Sequence, residues 1–362
     1  MRRTPALILG GGPAGASAAI GLARAGKPHL LIERSRETGD ALCGGFLSWR
    51  TLESLAGLGV APDALGPARV TTVRLFAGDR VAEAALPRPA HGVSRRHLDT
   101  LLLGRAAALG ARIERGVTVK EVTSRAARLA DGATIEADTL FLASGKTDIR
   151  GLARPESARG ADPTLGLRVR LDPARAVDAL VGGAIELHLF DRGYAGLVMQ
   201  EDGTANLCMA VHRSRLSDAG DPERLLTALG IELPRLGERL AWRSGAIDAV
   251  ANVPYGWRAK TGEAGLFRLG DQAGVIPSLA GEGMGIAIAS GIRAADAYIR
   301  GGPDGTATFQ TRLARDLARP IGLAGLIRDL AERPAMARAL LPIARRAPIL
   351  IDLLARATRI GR

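Results

Sequence analysis

The sequence predicts an α/β chain with a Rossmann-like dinucleotide-binding domain, an inserted antiparallel β-sheet domain and a helical C-terminus. Three observations carry that expectation. A glycine-rich turn, LILGGGPAG at Leu7–Gly15, joins an apolar run to a helix-like stretch. From about Leu165 to Val253 the chain alternates like successive strands, with one helical insert near Asp221–Leu229. From Thr306 onward the pattern is helical and broken by Pro320, Pro334, Pro342 and Pro348.

Each element follows in order. Ala6–Leu9 reads as a buried parallel strand, and Gly10, Gly12 and Gly15 keep the G-x-G-x-x-G spacing. The first glycine permits a tight turn, the second lets backbone approach a pyrophosphate, and the third lets the helix pack close to its strand. The helix, Ala14–Ala25, is Ala-rich, with Ile20 and Leu22 as its larger apolar residues, and its N-terminus offers N–H groups to phosphates. PHLLIE then forms a second strand ending in Glu33, an acid placed to accept hydrogen bonds from a ribose hydroxyl pair. Gly39–Ser48 (GDALCGGFLS) is a second glycine-containing loop, followed by helix-like WRTLESLAGLG. Arg69–Leu75 and Arg80–Leu86 pair as strands. Ser94 N-caps a helix in which Leu98, Leu101, Leu102, Ala106 and Leu109 recur at helical spacing. ARIERGVTVKEV and ARLADGATIEADTLFLASG are strand segments with Asp131-Gly132 as a hairpin signal, and Asp138–Gly145 is a short apolar strand running into a loop. LFRLGDQAG (Leu266–Gly274) returns to the dinucleotide-domain style and precedes a helix through Arg300. The cofactor domain is therefore expected from 1–68, 90–164 and 262–302, the sheet domain from 69–89 and 165–261, and the helical region from 303–362.

Composition narrows the function. Hydrophobic residues make up 47% of 362, and no run reaches the length of a membrane span. MRRTPALILGG resembles a secretion signal only superficially, because its apolar part is short and runs into the glycine turn. Two cysteines, Cys43 and Cys208, suggest a reducing, cytoplasmic setting and no disulfide framework. The net charge of +12 comes from scattered arginines, and aromatic content is 3%, so no nucleic-acid groove is expected. The surplus instead suits an anionic cofactor, an acidic substrate or a membrane surface. His91, His97 and His188 lack metal-site spacing, so no metal is expected, and His97 reads as a packing residue. Ile349, Leu353, Ala357 and Ile360 form a stripe near Arg345, Arg346 and Arg359. It suits either a peripheral contact with the inner membrane or packing on the protein body, and Arg356 within the stripe favours packing.

GDQAGVIPSLAGEGMGIAIASG (Gly270–Gly291) places Asp271 on a turn, where it can bond polyol hydroxyls. Free N–H groups at Gly283–Gly285 can stabilise negative charge on a ring carbonyl. With this segment the chain resembles the FAD-dependent oxidoreductases of the geranylgeranyl reductase type. These are related to the aromatic hydroxylases of the para-hydroxybenzoate hydroxylase fold. Four matches carry the resemblance: GGGPAG with Glu33, CGGFLS at Cys43–Ser48, SRRHLD at Ser94–Asp99, and the Gly270–Gly291 segment. The resemblance implies a glutathione-reductase-type FAD domain. FAD would be held at Gly10, Gly12, Pro13, Ala14 and Gly15, with Glu33 and Arg34 toward the adenosine ribose and Val119 nearby. Cys43, Gly44, Gly45, Arg95, Gly270, Asp271, Gly283, Met284 and Gly285 complete the implied set, Asp271 on the ribityl chain and Gly283–Gly285 beside the ring.

Cys43, on the loop that the resemblance puts near the reacting face, and Tyr194, at the start of a strand lining the substrate cavity, are the catalytic candidates. A small residue packed against the ring is the alternative for Cys43. Cys208 reads as core, and Lys146 and Asp148 as either the entrance to the cleft or a solvated loop. Gly274 stands where the hydroxylases have His, Glu282 where they have Gln, and no Asn follows, which favours the reductase branch. Gly196 and Met199-Gln200 depart from the Trp and Phe-Pro of prenyl reductases, and no W-x-W-x-I-P halogenase signature is present. The expected reaction is hydride transfer from flavin to a C=C bond of a small apolar or lipid-like substrate. Alternatives are an FAD monooxygenase hydroxylating an aromatic or polyketide-like ring, and a non-catalytic flavin- or lipid-binding protein. No second dinucleotide fingerprint is present, so the electrons would come from transiently bound NAD(P)H or an electron-carrier protein.

Overall fold

A computed structural model describes residues 2–123, 125–346 and 356–360. β1 (Arg2–Leu9) buries Ala6, Leu7, Ile8 and Leu9 completely, as a parallel strand covered on both faces requires. The glycine turn leads into α1 (Pro13–Arg24), whose opening proline sits where no helical N–H is needed. β2 (Leu30–Glu33) then pairs with β1 in parallel, Leu7 opposite Leu30. β3 (Phe46–Leu47) and α2 (Trp49–Leu58) follow, the helix capped by Ser48 Oγ, which accepts from Thr51 N–H. β4 (Arg69–Ala77) and β5 (Arg80–Gly92) form a hairpin, and α3 (Arg95–Ala108) starts on the predicted Ser94 cap, which accepts from His97 N–H.

β6 (Arg112–Arg115), β7 (Val119–Thr123), β8 (Ala126–Leu129) and β9 (Thr134–Leu142) complete the first long segment. β10 (Thr164–Leu171), α4 (Arg175–Val181), β11 (Ala184–Phe190), β12 (Gly193–Met199) and β13 (Ala205–His212) come next. Then α5 (Arg213–Ala219), α6 (Pro222–Glu232) and α7 (Pro234–Leu240) lead to β14 (Arg243–Val253). The chain returns through β15 (Leu266–Arg268) and α8 (Gly283–Gly301), and continues into α9 (Gly305–Ala331) and α10 (Pro334–Arg346).

Two sheets result. In the first, β6-β2-β1-β9 run parallel, β15 joins the C-terminal half of β9, and β8 and β7 extend its other half antiparallel. Small residues let its covering helices approach closely. A Cβ on Gly291 of α8 would lie 2.2 Å from the Ala14 carbonyl oxygen of α1, and one on Gly21 of α1 would lie 2.6 Å from Ala295 Cβ. The second sheet runs β14-β10-β13-β12-β11-β4-β5-β3, antiparallel except where β4 and β11 lie parallel. Leu167, Val169 and Leu207 from its strands pack against Leu225, Leu229 and Leu236 of α6 and α7. Its other face looks toward the first sheet's loops.

Two expectations change. Pro320 and Pro342 do not break the C-terminal helices: Pro320 lies inside α9 and Pro342 inside α10, whereas Pro334 begins α10. Burial of Leu317, Pro320, Ile321 and Ala324 along one stripe of α9 offsets the hydrogen bond that Pro320 forfeits. The short helices α4, α5 and α7, seven residues each, escaped the sequence reading because two turns are too few to show a helical period. Pro348, Ile349 and Leu353 lie outside the described residues. Among those described, no helix is long and apolar enough to cross a membrane.

Candidate functional site

Gly10 adopts φ +111°, and a Cβ there would lie 2.6 Å from the Ala143 carbonyl oxygen. Gly15 is tighter: its Cβ would meet the Gly10 carbonyl oxygen at 1.9 Å, so this glycine serves the predicted helix–strand approach. Glu33, at the end of β2, reaches back to the turn. Its Oε2 accepts from Gly11 N–H at 2.7 Å and its Oε1 from Ser35 N–H at 2.9 Å. Those bonds hold the carboxylate in one orientation and leave lone pairs for hydroxyl donors. Arg95, at the start of α3, lies across the turn with Nη2 3.2 Å from where a Gly12 Cβ would stand. Burial works against the Arg95 charge, but the paired bonds to Asp99 (2.9 and 2.7 Å) outweigh it and hold the guanidinium protonated.

A cavity of about 920 Å³ extends from this turn between the two sheets. Gly10, Gly12, Pro13, Ala14, Glu33, Arg34, Arg95 and Val119 line one end. Cys43, Gly44, Gly45, Gly270, Asp271, Gly283 and Met284 line its middle. Gly15 and Gly285 serve packing instead: a Cβ on Gly285 would lie 2.6 Å from Glu282 Oε1 and 2.8 Å from Thr51 Oγ1. Lys146 and Asp148 also reach the cavity, as do Asp271 and Cys208. Lys146 Nζ stands 3.7 Å from Asp271 Oδ2; burial lowers its pKa, and Asp271 together with Cys43 and Tyr255 more than offsets that.

Cys208 corrects the expectation of a core residue. Its neighbour Leu207 faces the helices, so period-two alternation turns Cys208 to the opposite face, where it lines the cavity. Burial pushes its thiol up to about 12, so it is no nucleophile at neutral pH. The loop bearing Cys43 is tied to this same sheet. Asn206 Nδ2 donates to the carbonyls of Cys43 and Gly44 at 2.9 and 3.0 Å. Arg168 donates to the Asp40 and Ala41 carbonyls and to Asp40 Oδ2, and it also bonds Asp248. Neither Arg168 nor Asn206 was singled out from the sequence. The available signal was a guanidinium and an amide inside otherwise apolar strands, which burial obliges to find partners.

Tyr194 is 2% exposed, and its hydroxyl is committed inside the wall. It accepts from Leu279 N–H at 3.0 Å and bonds Ser278 Oγ at 2.7 Å. Tyr255 donates to the same Ser278 Oγ at 2.8 Å. The C-terminal segment also reaches the cavity. Thr358 and Arg359 line the cavity, and Arg359 pairs with Glu282 at 3.1 Å, donates to the Ala280 carbonyl at 2.7 Å and lies over the Trp49 ring. Glu282, 1% exposed at the N-terminus of α8, is pushed up to about 7 by burial, against the pull of Arg359 and of Ser48. His97 is half-buried and bonds the Ala64 carbonyl at 2.7 Å, in keeping with a packing role.

Residues 3–150 match the family described as FAD binding domain. They form an FAD-binding domain. The chain is an FAD-dependent oxidoreductase. The menaquinone reductase of Mycolicibacterium smegmatis is 26% identical over 98% of this flavoprotein and 91% of its own length. A flavoprotein/dehydrogenase from Cytophaga hutchinsonii superposes with TM-score 0.77 at 16% identity, covering 98% of this chain and 97% of its own. The flavin-dependent brominase Bmp2 superposes with TM-score 0.72 at 17% identity, covering 98% and 94%. At such identities the two structures speak for the fold. The flavoprotein's own residues suit the cofactor: a turn closed to any side chain at Gly10, a fixed acid at Glu33, and a half-buried cation at Arg95.

Proposed function

We propose that this flavoprotein is a reductase acting on an apolar, lipid-like substrate, in the manner of the geranylgeranyl reductase type, and that it saturates a carbon–carbon double bond. The observation that carries the reading is the cavity's second wall. Leu75, Ile185, Leu187, Val250 and Val253 of the second sheet present an apolar surface opposite the glycine turn. The menaquinone reductase relative, matching along nearly the whole chain, supports a prenylated substrate of this kind.

FAD, when bound, supplies the two-electron chemistry, and the protein supplies position and charge. Gly10, Gly12 and the α1 N-terminus would hold the diphosphate, with Arg95 as its counter-charge and Glu33 on the ribose hydroxyls. Asp271 would take the ribityl hydroxyls, and the N–H groups opening α8 at Gly283 and Met284 would face the ring's polar edge. Arg168 and Asn206 keep the Cys43 loop against the substrate sheet, which limits water entry from that side. Electrons would arrive from NAD(P)H or a carrier protein.

The test is anaerobic incubation of the chemically reduced holoenzyme with a polyprenyl naphthoquinone, then air oxidation to return any quinol to quinone, then mass spectrometry. A product two mass units heavier supports saturation of a double bond. A gain of one oxygen atom overturns it in favour of a monooxygenase.

A further inference from the structure

We infer that Ser278 presents a single hydroxyl donor to an acceptor oxygen, such as a quinone or ketone carbonyl, on the substrate. This rests on the apolar-substrate reading above and narrows it to a substrate bearing such an oxygen. The inference comes from counting protons. Ser278 Oγ stands between two phenols, 2.7 Å from Tyr194 and 2.8 Å from Tyr255. The three hydroxyls own three protons but make two bonds among themselves, so one proton has no partner inside the cluster.

Its location follows from the surroundings. Tyr255 is the donor in its bond to Ser278. Tyr194 already accepts the Leu279 N–H, and its oxygen is buried. If Ser278 donated to Tyr194, the Tyr194 proton would have only the nearby Tyr255 hydroxyl, which it does not meet in hydrogen-bond geometry, at a cost of about 1–3 kcal/mol. Tyr194 therefore donates, both phenols point their protons at Ser278 Oγ, and the Ser278 O–H is left over. Ser278 is the exposed member of the three and lines the cavity. Leu75, Leu187 and Leu279 pack in the same cluster as the two tyrosines and line the cavity there, without an acceptor on their side chains. The leftover proton faces the space a ligand would fill. Tyr194 and Tyr255 act through Ser278 as positioning residues.

The experiment compares two probes of one shape on the FAD-loaded protein, by equilibrium dialysis: 2-methyl-1,4-naphthoquinone and the hydrocarbon 2-methylnaphthalene. Ser278→Ala should weaken the quinone about fivefold, the loss of one net hydrogen bond, and leave the hydrocarbon unchanged. Ser278→Thr, which keeps a hydroxyl, should bind both like wild type. Flavin content and melting temperature verify that each variant folds. Equal effects of Ser278→Ala on both probes, or no effect on either, overturn the Ser278 assignment and leave the apolar-substrate reading standing. Binding of neither probe to the wild-type holoenzyme overturns both.

Discussion

Glu282 shows how one residue's surroundings set its chemistry. It is buried at the N-terminus of α8, and burial raises its pKa from 4.5 to about 7. The folded state therefore holds the proton more tightly than the unfolded chain. The contribution to stability is complete below pH 4.5 and is lost as pH rises toward 7, by about 3 kcal/mol in all. Arg359 and Ser48 lower the shift without abolishing it, because Glu282 Oε1 has no hydrogen-bond partner. Glu282→Gln removes the titration. Urea midpoints measured from pH 5 to 8 should then fall less steeply with pH in the variant than in wild type; parallel slopes would refute this account of Glu282.

At the scale of elements, the Gly39–Gly45 loop owes its place to the sheet it touches. It lies in sequence between β2 and β3 of the two sheets, and besides the Val93 and Arg96 N–H groups it is held by Arg168, Arg170 and Asn206 of the second sheet. Burial raises the Asp40 pKa, but Arg170 and Arg168 overcome it and hold the carboxyl below its usual range. Arg168 is 4% exposed, so replacing it strands two loop carbonyls and leaves Asp40 only Arg170 and the Arg96 N–H. Arg168→Ala should cost about 3 kcal/mol in urea denaturation and release FAD during gel filtration, seen as lost visible absorbance. Stability near wild type with flavin retained would show that the loop holds its place without this tie. The glycine turn and the Ser94 cap were legible in the sequence because their geometry is set within a few residues. The side chains that tie the loop, Arg168, Arg170 and Asn206, lie more than 120 residues away, beyond any local signal.

At the scale of the molecule, both sheets and the C-terminal segment wall one cavity, so a ligand filling it binds them together. FAD at a hundredfold excess over its Kd should stabilise the fold by about 2.7 kcal/mol. Trp49 sits against Arg359 and Trp242 beside the second sheet, so single-tryptophan variants that keep one or the other, with Trp257→Phe in both, report the two regions. Both should melt together, and both melts should shift upward as FAD is added. A Trp242 transition indifferent to FAD would mean that the second sheet unfolds on its own.

The sequence by itself determined the dinucleotide turn, its acid at Glu33, the Asp271 turn, the α/β class and the presence of a sheet domain. Each depends on backbone geometry and side-chain periodicity that a short segment carries alone. Only the tertiary structure decided that Cys208 faces the cavity, that Tyr194 bonds Ser278, and that Glu282 meets Arg359. Alternation along a strand tells which residues share a face, but what that face looks upon is settled by packing. A buried polar group's partner is settled by whichever distant segment packing brings within hydrogen-bond reach.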